Sequence, residues 1–353
     1  QSIVKCEKQK DDGRMETQKR KQNEKEKAER RMKIVAGLGS VDEYIPYVLA
    51  GADELFCGYV PYNWTKKYGT VLPLNRREVL AYNVQLGSFS ELEILSAMIR
   101  KYRKPVHIAM NSLYYIPEQY EEIADIVKQC MKIGFDSFIL ADPALILYLR
   151  QKGISCKIHL SGEVGEMNRE AIKVFREMGI GRIIFHRKNT VAPMRQMIEA
   201  VNAEKLEFEA FALNELCQFT GAFCNSLHCD EMGYLCRTTY WGDAEMEERM
   251  ERVIKRTLET EEQQYLCGKS GCALCALPQL EAAGITHLKL VGRGNYVEDM
   301  IRDIRNLKVA LGVLEENQRE EKETGRYIDQ LNKKIFDSQP CGNNCIYNPG
   351  QFL

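Results

Sequence analysis

Eight short apolar runs alternate with amphipathic stretches from Met32 onward, and this rhythm limits the folds open to the chain. The runs centre near residues 34, 54, 106, 138, 157, 183, 209 and 288. Strands alternating with helices of this kind predict βαβ units and a parallel sheet. Eight repeats within 353 residues predict an α/β fold closed as a (β/α)8 TIM-like barrel. An open doubly wound sheet is the runner-up. No G-x-G-x-x-G or Walker pattern follows any of the strands, which weighs against a nucleotide-binding open sheet.

Local signals place the helices. VDEYIPYVLAG (Val41–Gly51) has helical spacing and a glycine stop, with Pro46 as a blemish. Residues 60–82 read as a long irregular loop over one face. Ser90 and Glu93 form an S-x-x-E capping box for a helix running to Tyr102. Pro117 and Pro143 sit at helix starts, and Asn168 is a plausible N-cap. The strand GRIIFHR is expected to run from Gly181 to Arg187. A long helix is predicted over residues 295–318.

Residues 1–31 are nearly all Lys, Arg, Glu, Gln and Asp. Such a segment has too little apolar surface to pack a core, and it reads as a helical or disordered arm. The barrel is expected over residues 32–314, with a Cys-rich insertion at 214–276 between strands 7 and 8. Residues 315–353 then form a C-terminal helix and a tail carrying Cys341 and Cys345, either loose or folded back over the site.

A formal net charge of −1 gives no global field toward nucleic acid or membrane. No apolar run is long enough for a bilayer span, and the amino terminus lacks the apolar core of a signal peptide. A reducing cytoplasm is the expected compartment, where thiols bind metal or do chemistry more often than they pair.

Seven of the 13 cysteines lie between Cys217 and Cys275. They are Cys217, Cys224, Cys229, Cys236, Cys267, Cys272 and Cys275. Thiolates are the soft ligands that select iron–sulfur clusters or zinc. Only Cys272 and Cys275 supply a C-x2-C knuckle, so a two-knuckle zinc ribbon is not written in the spacing. Spread thiolates suit a cluster assembled in three dimensions, and zinc is the alternative. Disulfides or inert buried thiols are the non-metal reading. Cys130 and Cys156 read as structural, whereas Cys57 ends a strand and could face the cluster.

Barrel chemistry collects at the C-terminal strand ends. Those ends carry Gly37, Gly39, Asn111, Asp142, His159, Ser161, His186, Arg187, Asn214, Lys289 and Arg293. This mostly cationic or amide ring suits a small anionic substrate or donor. His159, Ser161, His186 and Arg187 are the catalytic candidates. Asn111, Asn168, Lys289 and Arg293 are the substrate-binding candidates. His159 on an apolar strand is as easily a core histidine. Glu163 and Glu166 form either an acid–base pair or a solvated loop. Ser161 lacks a G-x-S-x-G elbow.

These residues together resemble peptidase family U32, the collagenase-like peptidases. Glu209, Phe211, Cys217, Gly221 and Cys224 fill a pattern similar to E-x-F-x-x-G-x-x-C-x6-C, with Asn214 where glycine is usual and Gly221 displaced by one place. KIHLSGEVGEMN matches a second family strand through His159, Ser161 and Asn168, and Lys188 stands where the next strand has glutamate. Leu235, Cys236 and Arg237 resemble a P-C-R step. Cys272, Leu277, Pro278, Leu280, Gly284, Lys289, Gly292 and Arg293 resemble a closing motif, with Val291 in place of glutamate.

The resemblance implies a [4Fe–4S] cluster on Cys217, Cys224, Cys236 and Cys272. Cys275, Cys229, Cys267 and Cys57 are held in reserve. It implies oxygen-independent hydroxylation of an aromatic ring or RNA base, with prephenate as the oxygen donor. A collagenase-like peptidase and a non-catalytic metal-stabilised subunit are the alternatives. Expected partners are a small anion, RNA, and a paralogous U32 subunit or a second copy of the chain.

Overall fold

A computed structural model of the chain describes residues 31–69, 72–76, 84–165, 167–201, 206–214, 265–319, 324–337, 341 and 344–347. The arm at 1–30 and most of the Cys-rich segment, with Cys217, Cys224, Cys229 and Cys236, lie outside the described residues.

Eight strands form a closed barrel in chain order. They are β1 (Lys33–Leu38), β2 (Glu54–Gly58), β3 (Val106–Met110), β4 (Ser137–Leu140), β5 (Lys157–Leu160), β6 (Arg182–Ile184), β7 (Glu207–Leu213) and β8 (His287–Leu290). Every neighbouring pair is parallel, and β1 pairs with β8 to close the ring. Each predicted strand centre falls inside one of these strands, and the open sheet is excluded.

The helices among the described residues are α1 (Tyr44–Ala50), α2 (Tyr62–Tyr68), α3 (Phe89–Tyr102), α4 (Pro117–Lys132), α5 (Pro143–Gln151), α6 (Arg169–Glu177), α7 (Val191–Val201), α8 (Leu277–Ala282), α9 (Val297–Arg319) and α10 (Thr324–Lys334). None is long and apolar enough to cross a membrane.

Successive strand residues face opposite ways, and here that sorts two cores. The outward residues, such as Ile34, Leu55, Ile108, Phe138, Ile158 and Leu288, pack under the helices. Val35, Phe56, Ala109, Ile139, Ile184 and Phe211 form a separate apolar layer inside the barrel.

Some local expectations need correction. The capping box at the start of α3 uses Ser88 and Glu91, not Ser90 and Glu93. Two S-x-x-E frames overlap there. The earlier one wins because Ser88 is extended and Leu92 and Leu95 are then buried. The presumed loop after β2 contains α2, held by buried Trp64 packing on Tyr68 one turn later. β6 stops at Ile184, so His186 and Arg187 lie just past it. α5 is capped by Asp142 and α6 by Asn168.

Candidate functional site at the barrel mouth

Inward positions along the strands stack in three levels. The lowest is polar. Arg182 lies at its centre, with Nη2 2.8 Å from Glu54 Oε2, Nη2 2.7 Å from Glu207 Oε2 and Nη1 3.0 Å from Glu209 Oε2. His107 Nε2 sits 2.9 Å from Glu54, and its Nδ1 2.6 Å from Ser137 Oγ. His287 Nε2 lies 3.2 Å from Glu54 Oε1. Burial alone would raise the Glu54 carboxyl, but hydrogen bonds with His107 and His287 and the Arg182 charge hold it well below the carboxylate range.

Lys289 belongs to this network. Its Nζ donates to Glu209 Oε1 at 2.9 Å and lies 3.7 Å from the centre of the Phe56 ring. Its charge is therefore already matched beneath the apolar layer. His159 also points into the interior, its ring edge-on to His107 with centroids 4.4 Å apart. Burial, reinforced by repulsion from His107 and Arg182, pushes its pKa well below the histidine range. The ring is neutral, and Nδ1 makes no hydrogen bond among the described residues.

The middle level is the apolar layer, whose Phe56 and Phe211 rings form a floor. The top level is the mouth. The Arg187 guanidinium carbon lies 5.6 Å from the centre of Phe211, and that of Arg293 5.9 Å from the centre of Phe56. Two planar cations thus sit over two aromatic faces. Glycines make the room: a Cβ on Gly58 would lie 2.5 Å from Arg293 Nη1, and one on Gly37 3.3 Å from Arg293 Cγ.

The rim is held by hydrogen bonds. Glu163 accepts from Arg187 Nη2 at 3.3 Å and pairs with Arg76 Nε at 3.4 Å. Asn111 Oδ1 accepts from the Arg76 backbone at 3.2 Å, while Asn111 Nδ2 donates to Ser161 Oγ at 3.3 Å. Ser161 Oγ also accepts from the Glu163 backbone. His186 Nδ1 accepts from the Lys188 backbone at 3.2 Å, which places the ring proton on Nε2 when the ring is neutral. Asn75 donates to Gln85 at 2.6 Å beside Arg293.

The mouth therefore gathers Asn111, Ser161, Arg187 and Arg293 from the predicted set, while His186 is buried just past β6 with its ring bonded to the Lys188 backbone. It does not gather His159 or Lys289, which lie deeper, nor Asn168, whose side chain caps α6. Cys57 lies in the outer core beneath the helices. Glu163 turns out to be a rim carboxylate tying two arginines. Sequence reading missed Arg76, the Phe56 floor and the Arg182 network. Reading ELFCG and GRIIFHR at a period of two would have put Glu54, Phe56, Gly58 and Arg182 on the inward face.

Residues 344–347 lie at this mouth. Leu213 and Cys272 form an antiparallel bridge, and Cys272 pairs in parallel with Cys345. Ile346 packs against the inner apolar layer. These described tail residues thus fold back over the site. Asn214, at the end of β7, has φ 64. That left-handed geometry favours glycine and tolerates asparagine, which accounts for this departure from the family pattern.

The family model for peptidase family U32 matches residues 39–343. The chain belongs to peptidase family U32. This U32 protein is similar to tRNA hydroxylation protein P1 of Bacillus subtilis, 22% identical over 265 residues that cover 74% of this chain and 58% of that one. It is also similar to tRNA hydroxylation protein P of Escherichia coli, 25% identical over 174 residues, covering 49% of this chain and 34% of that one. It thus spans 58% and 34% of the length of these two relatives. A solved U32 peptidase is 14% identical, with a TM-score of 0.36, covering 52% of this chain and 69% of that one.

Of the four cluster ligands that the resemblance implies, Cys272 alone falls within the described residues. Among those residues no three His, Cys, Asp or Glu side chains form a group that holds a metal. The donor chemistry does fit a soft metal. Burial pushes the Cys272 thiol up to about 12 and the Cys275 thiol up to about 11, and both lie near further thiols. Packed thiols of this kind ionise when a cation takes the proton's place.

Proposed function

We propose that this U32 protein takes part in oxygen-independent hydroxylation of an RNA base, with a small carboxylate such as prephenate as the oxygen donor. The observation that carries the reading is the pair of guanidiniums, Arg187 and Arg293, held over the Phe211 and Phe56 rings at the mouth. Guanidinium forks match carboxylates in a bidentate way, and an aromatic floor accepts a flat ring. The similarity to tRNA hydroxylation proteins supports RNA as the acceptor.

Each mouth residue then has a role. Arg293 and Arg187 bind and orient the donor carboxylate. Glu163 keeps Arg187 and Arg76 from drifting toward solvent. Asn111 and Ser161 supply neutral hydrogen bonds to the ring or its hydroxyl. A [4Fe–4S] cluster on Cys217, Cys224, Cys236 and Cys272 would supply electron transfer. A cytoplasmic location and an RNA partner belong to the same reading.

The peptidase alternative gains no support from Ser161, whose hydroxyl is bonded to Asn111 and to backbone rather than to a base.

The test is nucleoside mass spectrometry of bulk tRNA incubated with anaerobically purified protein, with and without prephenate. A new hydroxylated nucleoside that requires prephenate and is lost in Arg293→Ala supports the reading. Product formed equally without the donor, or none from protein that carries full iron and sulfide, overturns it.

A further inference from the structure

Asp303 is a carboxylate on α9 that is 4% exposed, one residue before the buried apolar Ile304. A buried carboxylate is costly unless both oxygens are bonded. Here each oxygen takes a different stretch of chain. Oδ2 accepts from Asn214 Nδ2 at 2.7 Å, and Oδ1 accepts from the Tyr265 hydroxyl at 2.7 Å. Asn214 and Tyr265 are the last described residue before the Cys-rich segment and the first after it. One side chain therefore holds the point where that segment leaves the barrel and the point where it returns.

Neighbouring bonds stiffen the same place. Asn306, three residues along α9, donates from Nδ2 to the Tyr265 hydroxyl at 2.8 Å. Asn214 N donates to Gly271 O at 2.9 Å, and Ala273 N donates to Ala212 O at 2.8 Å. Leu213 and Cys272 thus lie side by side in an antiparallel bridge. In sequence Cys217 comes three residues after Asn214, a stretch that spans at most about 11 Å. The departure point is in this way set against the backbone of Cys272.

The Cys267 thiol belongs to the same group. It shares hydrogen bonds with Tyr265, Asn306 and Asp303. Those bonds occupy it within the protein, although it was held in reserve as a ligand.

We propose that Asp303 is a positioning residue for the cluster, a single carboxylate that clamps both ends of the Cys-rich segment so that ligands from that segment meet Cys272. Cys267 is then part of the clamp and not of the ligand set. The inference rests on the cluster in the functional reading, and it concerns how that cluster is retained rather than what it reacts with.

The experiment uses the full chain, purified without oxygen, and follows loss of the cluster's visible absorption to an iron chelator. Asp303→Leu should bleach roughly tenfold faster or more, the scale of a lost hydrogen bond to a charged group. Tyr265→Phe and Asn214→Gly each free one end and should give smaller increases. Neither should add to Asp303→Leu, because all three act through one carboxylate. Cys267→Ser, which keeps a hydroxyl in the network, should hold iron and sulfide at the native level.

Bleaching at the native rate in Asp303→Leu overturns the assignment, even with a lowered melting temperature, since that would be a purely structural role. If Asp303→Leu does not fold, native rates in both Tyr265→Phe and Asn214→Gly overturn it. Native protein without iron and sulfide overturns it too, as does loss of both in Cys267→Ser. A native chain that keeps its cluster through the clamp but forms no hydroxylated nucleoside counts against the hydroxylation reading alone.

Discussion

Arg182 and Glu54 face each other across the floor of the barrel, Nη2 to Oε2 at 2.8 Å, though 128 residues separate them in the chain. Both are buried, and the pair ties β6 to β2 through the interior. Removing one partner leaves a buried charge without its match. Arg182→Met should therefore cost about 3–5 kcal/mol of stability. A urea melt checks this, and a loss below about 1 kcal/mol would deny the pair its structural role.

Gly58 controls where Arg293 lies, because a Cβ there would meet Arg293 Nη1 at 2.5 Å, Gln85 Oε1 at 2.7 Å and Asn75 Nδ2 at 2.9 Å. All three are ends of movable side chains, so Gly58→Ala should fold and displace the guanidinium. Losing a hydrogen bond to a charged group costs about 1.5–3 kcal/mol, or roughly 10- to 100-fold in affinity. Donor KM should rise on that scale with a melting temperature close to native. An unchanged KM would remove Arg293 from the donor site.

Acid should loosen the barrel within a definite window. Burial would raise the Glu209 carboxyl, but the Lys289 and Arg182 charges hold it down to about 2, below its ordinary 4.5. Glu54 is shifted the same way by His107, His287 and Arg182. A depressed folded pKa stabilises the fold above the unfolded value, and that stability drains away as pH falls from about 4.5 toward about 2. Stability measured against pH should slope steeply there. Glu209→Gln should lower the plateau and flatten the slope, and an identical slope in the variant would count against this origin.

Asn214 combines a left-handed backbone with a hydrogen bond from Nδ2 to Asp303 Oδ2 at 2.7 Å. Asn214→Gly keeps the backbone at ease and loses the bond, at about 1 kcal/mol. Asn214→Ala loses the bond and adds about 1–2 kcal/mol of backbone strain. Alanine should thus be the worse of the two in urea titrations. The reverse order would mean that the side chain alone matters at the end of β7.

The barrel was legible because each strand is an apolar run between turn formers, and a run of that kind signals its element whatever it packs on. The mouth was half legible. His186, Arg187 and Arg293 follow their strands directly, and strand ends are where barrels gather chemistry. Lys289 stood equally among the strand-end candidates in sequence, yet Glu209 on the neighbouring strand claims it. Only the pairing of β7 with β8 across the intervening segment brings the two side chains together. Arg76 was hidden in a stretch without periodicity, and its place depends on Asn111 and Glu163, which arrive from β3 and the turn after β5. Asn168 was read correctly as a cap, and the cap uses the oxygen a ligand would have needed.

The six-residue apolar layer formed by Val35, Phe56, Ala109, Ile139, Ile184 and Phe211 acts as a bulkhead between two electrical compartments. Charges that secure the barrel lie below it, and the arginines proposed to meet a ligand stand above it. A lineage can therefore trade arginines at the opening for other side chains, and with them one substrate for another, without unsettling the salt-bridged keel on which the strands rest.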